Sequence, residues 1–428
     1  MLKKIVQFIL ATEAKLVIRR FKPKIVAVTG SVGKTSTKEA IFTVLSTHFR
    51  TRKSPKSYNS NWGVPLTILG LNSEWNSPWG WLVNMVKGMG AIFAREYPEI
   101  LVLEMGVDRP GDIDYLLSMV KPNVSVVTAI GEIPVHVEFF SGPKAVAYEK
   151  GKIVRATLRD GTTILNFDDE VVSSMRAEAP GNTVTFGVGK GADMKVSQYK
   201  LLTETGPAGM VPKGVTFKLD YKGNTVPIRL EGAFGKQQMY VVSAAAAVGA
   251  AFDLNLIKIA EALATYKPAP GRLHVVEGIK DSLIVDDTYN ASPMAMHAAL
   301  DTLKDMPARR KIAVLGDMLE IGKYTIEAHQ AMGELAAPIL NLLITVGPRA
   351  KFIAKEAIAR GMDKKNVLEF PSSKDAGRAL QEMITPGDLI LVKGSQSMRM
   401  EHVVEEVMRY PEKKEELLVR QDIHWKKI

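Results

Sequence analysis

The stretch KIVAVTGSVGKTSTKEAI, residues 24–41, places an apolar run before a glycine loop that carries a lysine and hydroxyls, and a helical pattern after it. Chemistry at such a junction is phosphate chemistry. Gly30 and Gly33, with Ser31 and Val32 between them, let the backbone pass close to phosphate oxygens. The helix that follows aims its unpaired N–H groups and about half a unit of positive charge at the same point. Lys34 adds a point charge near a terminal phosphate; Thr35 and Ser36 follow, and the Thr35 hydroxyl suits Mg²⁺. The loop is the short form G-x-x-G-K-T-S, because the longer pattern wants glycine where Val28 stands. The expected ligand is a triphosphate with Mg²⁺. Glu104 closes the apolar run EILVLEMG at 99–106, where a carboxylate can reach a metal held by the phosphates. These residues alone do not separate a kinase, a motor ATPase, a GTPase and a ligase.

The elements that must position them read as α/β. Strand-like runs at 99–106, 123–131 and 161–169 alternate with helical ones, which predicts a mainly parallel sheet covered on both faces. VTFKLDYKGNTVPIRLEG alternates Val215, Phe217, Leu219 and Tyr221, turns at Gly223-Asn224 and resumes with Val226, Ile228 and Leu230, the pattern of an appended antiparallel hairpin. KPAPGR at 267–272 is punctuation of the kind that separates domains. A second series of apolar runs begins at 282–287, 311–317, 341–347 and 388–395. The expectation is therefore a basic amphipathic helix over 1–22, a P-loop-containing parallel-sheet central domain over 23–270, and a Rossmann-like α/β domain over 271–428. A crevice of nucleotide size is expected between the two domains.

Arg272, Asp286, Asp287, Tyr289 and Asn290 lie just past the punctuation, where an arginine and carboxylates could clamp a phosphate, a ribose or an amine. Asp286 or Asp287 could equally cap a turn.

Taken together, the ordered segments TGSVGKTSTK, NSNWGVPLTIL, LEMGVDRPGDI, HVEFFSGPKAVAYEKGKI, ILNFDD, PGRLHV, DDTYNASPMAM, GDMLEIG and LVKGSQSMRME resemble the Mur ligase family over residues 24 to about 410, nearest its D-alanyl-D-alanine-adding type. The resemblance implies an ATP-dependent ligase that joins an amino acid or dipeptide amine to a muramoyl-peptide carboxylate through an acyl phosphate, in the cytoplasm. It implies a catalytic set of Lys34, His136 and Lys150, with His136 on a second magnesium and Lys150, 14 residues on, carbamylated. Thr35, Glu104, His136 and Lys150 would be the metal-side groups. Arg272, Asp287 and Asp317 would sit by the nucleotide, and Asn290, Ser292, His329 and Lys393 toward the incoming substrate. Departures are visible. Gln237 and Val241 replace the histidine and second asparagine of the family's adenine-side segment, and about 29 residues precede Gly30, too few for the family's UDP-sugar domain. A ligase acting on another carboxylate acceptor is therefore a second expectation.

Composition bounds the remainder. With no cysteine, thiolate metal sites, a cysteine nucleophile and disulfides are excluded. The net charge of +10 suits nucleic acid, an acidic membrane surface or a polyanionic nucleotide. A nucleic-acid-binding P-loop ATPase would cluster its cations with aromatics; here they are spread, so no nucleic acid is expected. The segment 73–98, with Trp75, Trp79 and Trp81, reads as core or a dimer face, or as a membrane-proximal patch working with the basic first helix. Monomer and homodimer both remain open.

Overall fold

The computed structural model describes residues 2–206, 209–422 and 425. Its first sheet has nine strands: β1 Lys24–Thr29, β2 Thr51–Lys53, β3 Ile100–Glu104, β4 Val124–Val127, β5 Thr162–Asn166, β6 Asn182–Gly187, β7 Met194–Gly206, β8 Gly209–Tyr221 and β9 Asn224–Glu231. The spatial order is β2-β3-β1-β4-β5-β6-β7-β8-β9, so the chain reverses its direction of travel at β1. Ligands bind at the carboxyl ends of strands at such a reversal. β1 is buried along its length except at Lys24, and its side chains alternate. Val26 and Val28 enter the core on one face, Ile25 and Ala27 the core on the other. Pairing of Val28 with Glu104 across β1 and β3 sets the acid level with the start of the glycine loop.

β8 and β9 form the antiparallel hairpin read from the alternation, one residue out of step at the turn. Tyr221 pairs with Asn224, so Lys222 and Gly223 make the turn rather than Gly223-Asn224. Both have positive φ, 47° and 79°, which gives the twist a two-residue hairpin needs. β2, β6 and β7 complete the sheet without a sequence signal strong enough to have marked them.

The second sheet has six strands: β10 His274–Glu277, β11 Leu283–Asp287, β12 Arg310–Gly316, β13 Leu342–Val346, β14 Val367–Phe370 and β15 Asp388–Lys393, in the order β10-β11-β15-β12-β13-β14. All pairs are parallel except β10 with β11. Asp287 pairs in register with Lys393 at the carboxyl end of this sheet.

The first four helices are α1 Leu2–Phe21, α2 Lys34–Leu45, α3 Gly63–Leu69 and α4 Pro78–Ile92. α2 leaves the glycine loop directly. α1 packs on the first sheet through Val6, Leu10, Ala14 and Val17, beside α3. Its one acid, Glu13, faces inward, and a Cβ built on Gly88 of α4 would lie 2.1 Å from Glu13 Oε2. Burial pushes the Glu13 carboxyl up to about 7, and Oε2 has no hydrogen-bond partner. Between the ordinary carboxylate range and that value, the folded chain holds a proton that the unfolded chain releases, so stability falls as pH rises through the window and stays lower above it. Glu13→Gln is expected to raise the melting temperature by about 2–4 °C near pH 8 and to leave it unchanged near pH 4, as thermal scans at the two pH values would register.

Candidate active site

The glycine loop runs from the end of β1 over the carboxyl end of the sheet. Gly30 has φ of 144° and Gly33 of 87°. A Cβ on Gly30 would stand 2.1 Å from Thr128 Oγ1, so only glycine allows the loop to lie this close to β4. Ser31 and Val32 donate their amides to Ala129 O at 2.6 and 3.3 Å, which pins the loop. The opening turn of α2, Lys34–Ser36, then presents amides that helix geometry leaves without intrahelical carbonyls.

Lys34 Nζ folds back over the loop, 2.8 Å from Gly30 O and 3.3 Å from Ser31 O. Burial lowers its pKa, with Arg272 acting in the same sense, while Glu104 and Asp108 oppose the shift. Thr35 Oγ1 lies 3.2 Å from Glu104 Oε1, which also accepts from Asn59 Nδ2 at 2.9 Å. Glu104 is buried, and its Oε2 has no hydrogen-bond partner; the Lys38 ammonium, held by the Ser54 and Lys56 carbonyls, is 3.8 Å away. A buried carboxylate oxygen without a partner, beside a threonine hydroxyl at a phosphate loop, is the donor set a hard divalent cation takes. No group of three or more acids and histidines forms a ready metal cage among the described residues. The remaining ligands would have to come with the substrate.

Lys150 lies on the helix Pro143–Arg155 and is buried, with Nζ 3.0 Å from Gly30 O. Burial lowers its pKa well below the usual lysine range, and the Lys34 charge adds to the shift. His136, at φ of 68°, is 3.4 Å from Asp108 Oδ1 through Nε2 and 2.9 Å from Glu320 Oε2 through Nδ1. Glu320 belongs to the loop after β12, so His136 joins the first sheet's loops to the second's.

From the second sheet, Arg272 reaches Thr35 Oγ1 at 3.3 Å through Nη2, and its guanidinium stacks 3.9 Å from the Tyr289 ring centre. Its Nε is buried without a partner. Asp287 and Lys393 form a buried pair at 2.6 Å, and Lys393 also donates to Asn290 O at 2.8 Å. Asn290 Oδ1 accepts the amides of Ala291 and Gln396, and Ser292 accepts from Ala295 N as the cap of the helix Pro293–Asp305.

Lys34, Thr35, Glu104, His136, Arg272, Asp287, Asn290, Ser292 and Lys393 line two adjoining pockets, each of about 920 Å³, while Lys150, buried against the glycine loop, lines neither. The first, lined by Lys34, Thr35, Glu104, His136, Asn290 and Ser292 among others, has room for two substrates to meet. The second lies on the other side of the glycine loop, where Val32, Gly33 and Arg272 line both pockets. It is walled by Phe186, Met294 and Asn166, with Gln237 and Val241 on its floor, and Gln237 Nε2 is without a partner. An apolar slot with an unsatisfied amide fits a heterocyclic base.

Asp317 and His329 line neither pocket. Asp317 Oδ1 accepts the amides of Arg349 and Ala350 at 2.9 and 2.7 Å. His329 is fully buried; Nδ1 donates to Thr325 O at 2.6 Å and Nε2 accepts Met318 N at 3.0 Å, the neutral tautomer that burial favours. Asp286 binds the amide and hydroxyl of Thr288 at 3.1 and 2.6 Å, the turn-capping alternative. Residues to which the sequence alone assigns no role also line the first pocket: Ser57, Asn59, Asp108, Arg109, Arg399 and Trp425. Asn59, Asp108, Arg109 and Arg399 fall inside the segments NSNWGVPLTIL, LEMGVDRPGDI and LVKGSQSMRME; Trp425 carries no spacing signal that could have found it.

Comparison with known proteins gives the same outline. Residues 28–249 match the model of the Mur ligase middle domain, and residues 271–396 that of the Mur ligase glutamate ligase domain. The chain is 30% identical over 400 residues to the UDP-N-acetylmuramoyl-tripeptide--D-alanyl-D-alanine ligase of Bacillus subtilis, covering 93% of this chain and 79% of that protein. The Escherichia coli enzyme of the same name is 28% identical over 382 residues, covering 89% and 76%. Among solved structures, MurF from Acinetobacter baumannii superposes with a TM-score of 0.77 at 26% identity, covering 94% of this chain and 80% of the other. MurF from Thermotoga maritima in complex with ADP gives 0.76 at 28% identity, covering 95% and 84%.

Proposed function

The chain belongs to the Mur ligase family, and from that premise we propose that it forms an amide bond at the expense of ATP, adding D-alanyl-D-alanine to a muramoyl-peptide carboxylate in peptidoglycan precursor synthesis. One arrangement carries the reading. The glycine loop with Lys34 and the Thr35–Glu104 pair faces, across one 920 Å³ cavity, the Arg272, Asn290 and Ser292 side of the second sheet. A triphosphate and an acid held on opposite walls of one cavity can react in line.

ATP enters as a substrate. The amides opening α2 and the Lys34 ammonium face the γ-phosphoryl oxygens and offset charge there, with Arg272 approaching from the other wall. The acceptor carboxylate attacks the γ-phosphorus as the bond to the bridging oxygen of ADP breaks, giving an acyl phosphate. The free amine then attacks the acyl carbon, phosphate leaves with the bonding pair, and the amine loses its proton as the amide forms. Thr35 and Glu104 would hold Mg²⁺, which when bound neutralises phosphate charge. Lys150, whose burial favours the neutral amine, could add CO₂ with loss of a proton to become a carbamate, an anion where an ammonium would repel a metal. His136, set between Asp108 and Glu320, spans the two walls of the cavity. Asp287 and Lys393 fix the loop that carries Asn290 and Ser292 toward the incoming amine. Asp317 and His329 support neighbouring loops from behind. Among the described residues no helix is long and apolar enough to cross a membrane, and we place the reaction in the cytoplasm, where its ATP is.

Phosphate release from ATP, measured with UDP-N-acetylmuramoyl-tripeptide and D-alanyl-D-alanine singly and together, tests the assignment. Release is expected only with both, alongside a product whose mass equals the sum of the two less one water. Release with the amine and a different carboxylate would move the acceptor assignment, and release stimulated by nucleic acid would overturn the ligase.

A further inference from the structure

We propose that the outer face of α1 and α4 is a docking surface for an anionic lipid bilayer. α4 is apolar on its outward side as well as its inward one. Trp79, Leu82, Val83, Val86, Met89 and the capping Phe93, spaced along one helical stripe, are exposed, Trp79 and Phe93 by 76% and 71%. The inward side carries the buried Asn84 and Gly88 together with Trp81, Met85 and Ile92, which pack against the core. Asn84 Nδ2 donates to Asn72 O at 2.8 Å, and Gly88 admits Glu13 of α1, so the inward side is already satisfied by the fold. α1 continues the apolar surface with Ile5, Phe8 and Leu16, again one helical stripe, while its opposite side is built into the core.

Apart from the buried Glu13, the charges on the two helices are of one sign, and Glu74 lies against Gly80 at the start of α4. α1 carries Lys3, Lys4, Lys15, Arg19 and Arg20, and α4 carries Lys87. The single acid on the two helices, Glu13, is buried between them. Nearby carboxylates are occupied: Glu96 and Glu99 lie 3.4 and 3.9 Å from Arg50. A second copy of the chain would bring two such basic rims together, whereas anionic headgroups complement them and the acyl region receives the aromatics. Tryptophan and phenylalanine bordered by lysine and arginine is the composition of a helix that lies in the interface plane. The face also adjoins the active site. Trp75, just before α4, meets the ring of Trp425 edge-on with centres 5.8 Å apart, and Trp425 lines the first pocket.

Co-sedimentation of the full chain with vesicles tests this, using phosphatidylcholine alone and phosphatidylcholine with about one-third phosphatidylglycerol, at low and at about 0.5 M salt. At least about tenfold tighter partitioning onto the anionic vesicles is expected, weakened by salt. A variant combining Trp79→Ser, Val86→Ser and Phe93→Ser, and a separate one combining Lys3→Glu, Lys4→Glu and Arg19→Glu, should each lose at least about tenfold of it while keeping the wild-type melting temperature and turnover with soluble substrates. Equal partitioning onto both vesicle types, or variants that bind like the wild type, would overturn the proposal. So would a concentration-dependent dimer that the serine variant abolishes, since a second copy would then cover the face.

Discussion

Lys34→Ala is expected to lower kcat by about 1,000-fold or more without unfolding the protein. Nζ donates to the carbonyls of Gly30 and Ser31, which belong to the loop itself and keep their places when the side chain is removed, because Ser31 and Val32 remain tied to Ala129 O. What is lost is the Lys34 ammonium folded over the loop, at a point where burial lowers its pKa and Glu104 opposes the shift. A triphosphate arriving there supplies the anions that hold the ammonium in its charged form, and the charge that grows on the γ-phosphoryl group as it transfers meets it directly. Lys34→Arg is not expected to rescue, since the wider planar head must fit between Gly30 and the Lys150 side chain, which shares the Gly30 carbonyl. Single-turnover measurement of acyl transfer, with thermal melting as the folding control, decides the point. A variant within about threefold of the wild type would remove Lys34 from the chemistry.

The second large effect is expected at Lys150. Alanine here should cost about 100-fold or more in kcat, and acetate or formate should restore part of it. The reason is where the amine sits. Nζ is buried against the glycine loop, and both burial and the neighbouring Lys34 charge drive it toward the neutral form, which is the form that adds CO₂. A carbamate would carry the negative charge that a short carboxylate can imitate in the space alanine leaves. Lys150→Arg, which keeps a cation and cannot form the carbamate, should be as inactive as alanine and resistant to rescue. Depleting the wild type of CO₂ should lower activity, and bicarbonate labelled with ¹³C should give a carbamate carbon signal that the alanine variant lacks. Full activity without CO₂ would confine Lys150 to packing.

The parts that position the chemistry were readable because they obey short-range rules. β1, the glycine loop and α2 announce themselves through an apolar run, two glycines with positive φ and a helical pattern. Glu104 could be placed because a polar residue closing a buried strand has only the strand's end to occupy. The hairpin turn slipped by one residue, since Lys222 in a left-handed conformation has no compositional mark. Asp317 and His329 show the harder problem. Both are residue types that do chemistry, and both turn to backbone amides and carbonyls of adjacent loops, a choice set by tertiary packing. Trp425 reaches the site only through tertiary packing, with the Arg399 guanidinium 5.6 Å from its ring centre and Trp75 edge-on to it. The direction of the α4 stripe is equally out of reach: the periodicity fixes which residues share a face, and the packing of Trp81, Met85 and Gly88 against the core and Glu13 decides that the other face looks outward.

In the proposed reaction the acceptor acid, held opposite the glycine loop, takes the outermost phosphoryl group of ATP before the amine arrives. Labelling both oxygens of the acceptor carboxylate with ¹⁸O and weighing the released phosphate reads this step itself. One labelled oxygen per phosphate is expected, with the other kept in the new amide carbonyl. Phosphate free of label, in the presence of amide product, would rule out the acyl phosphate.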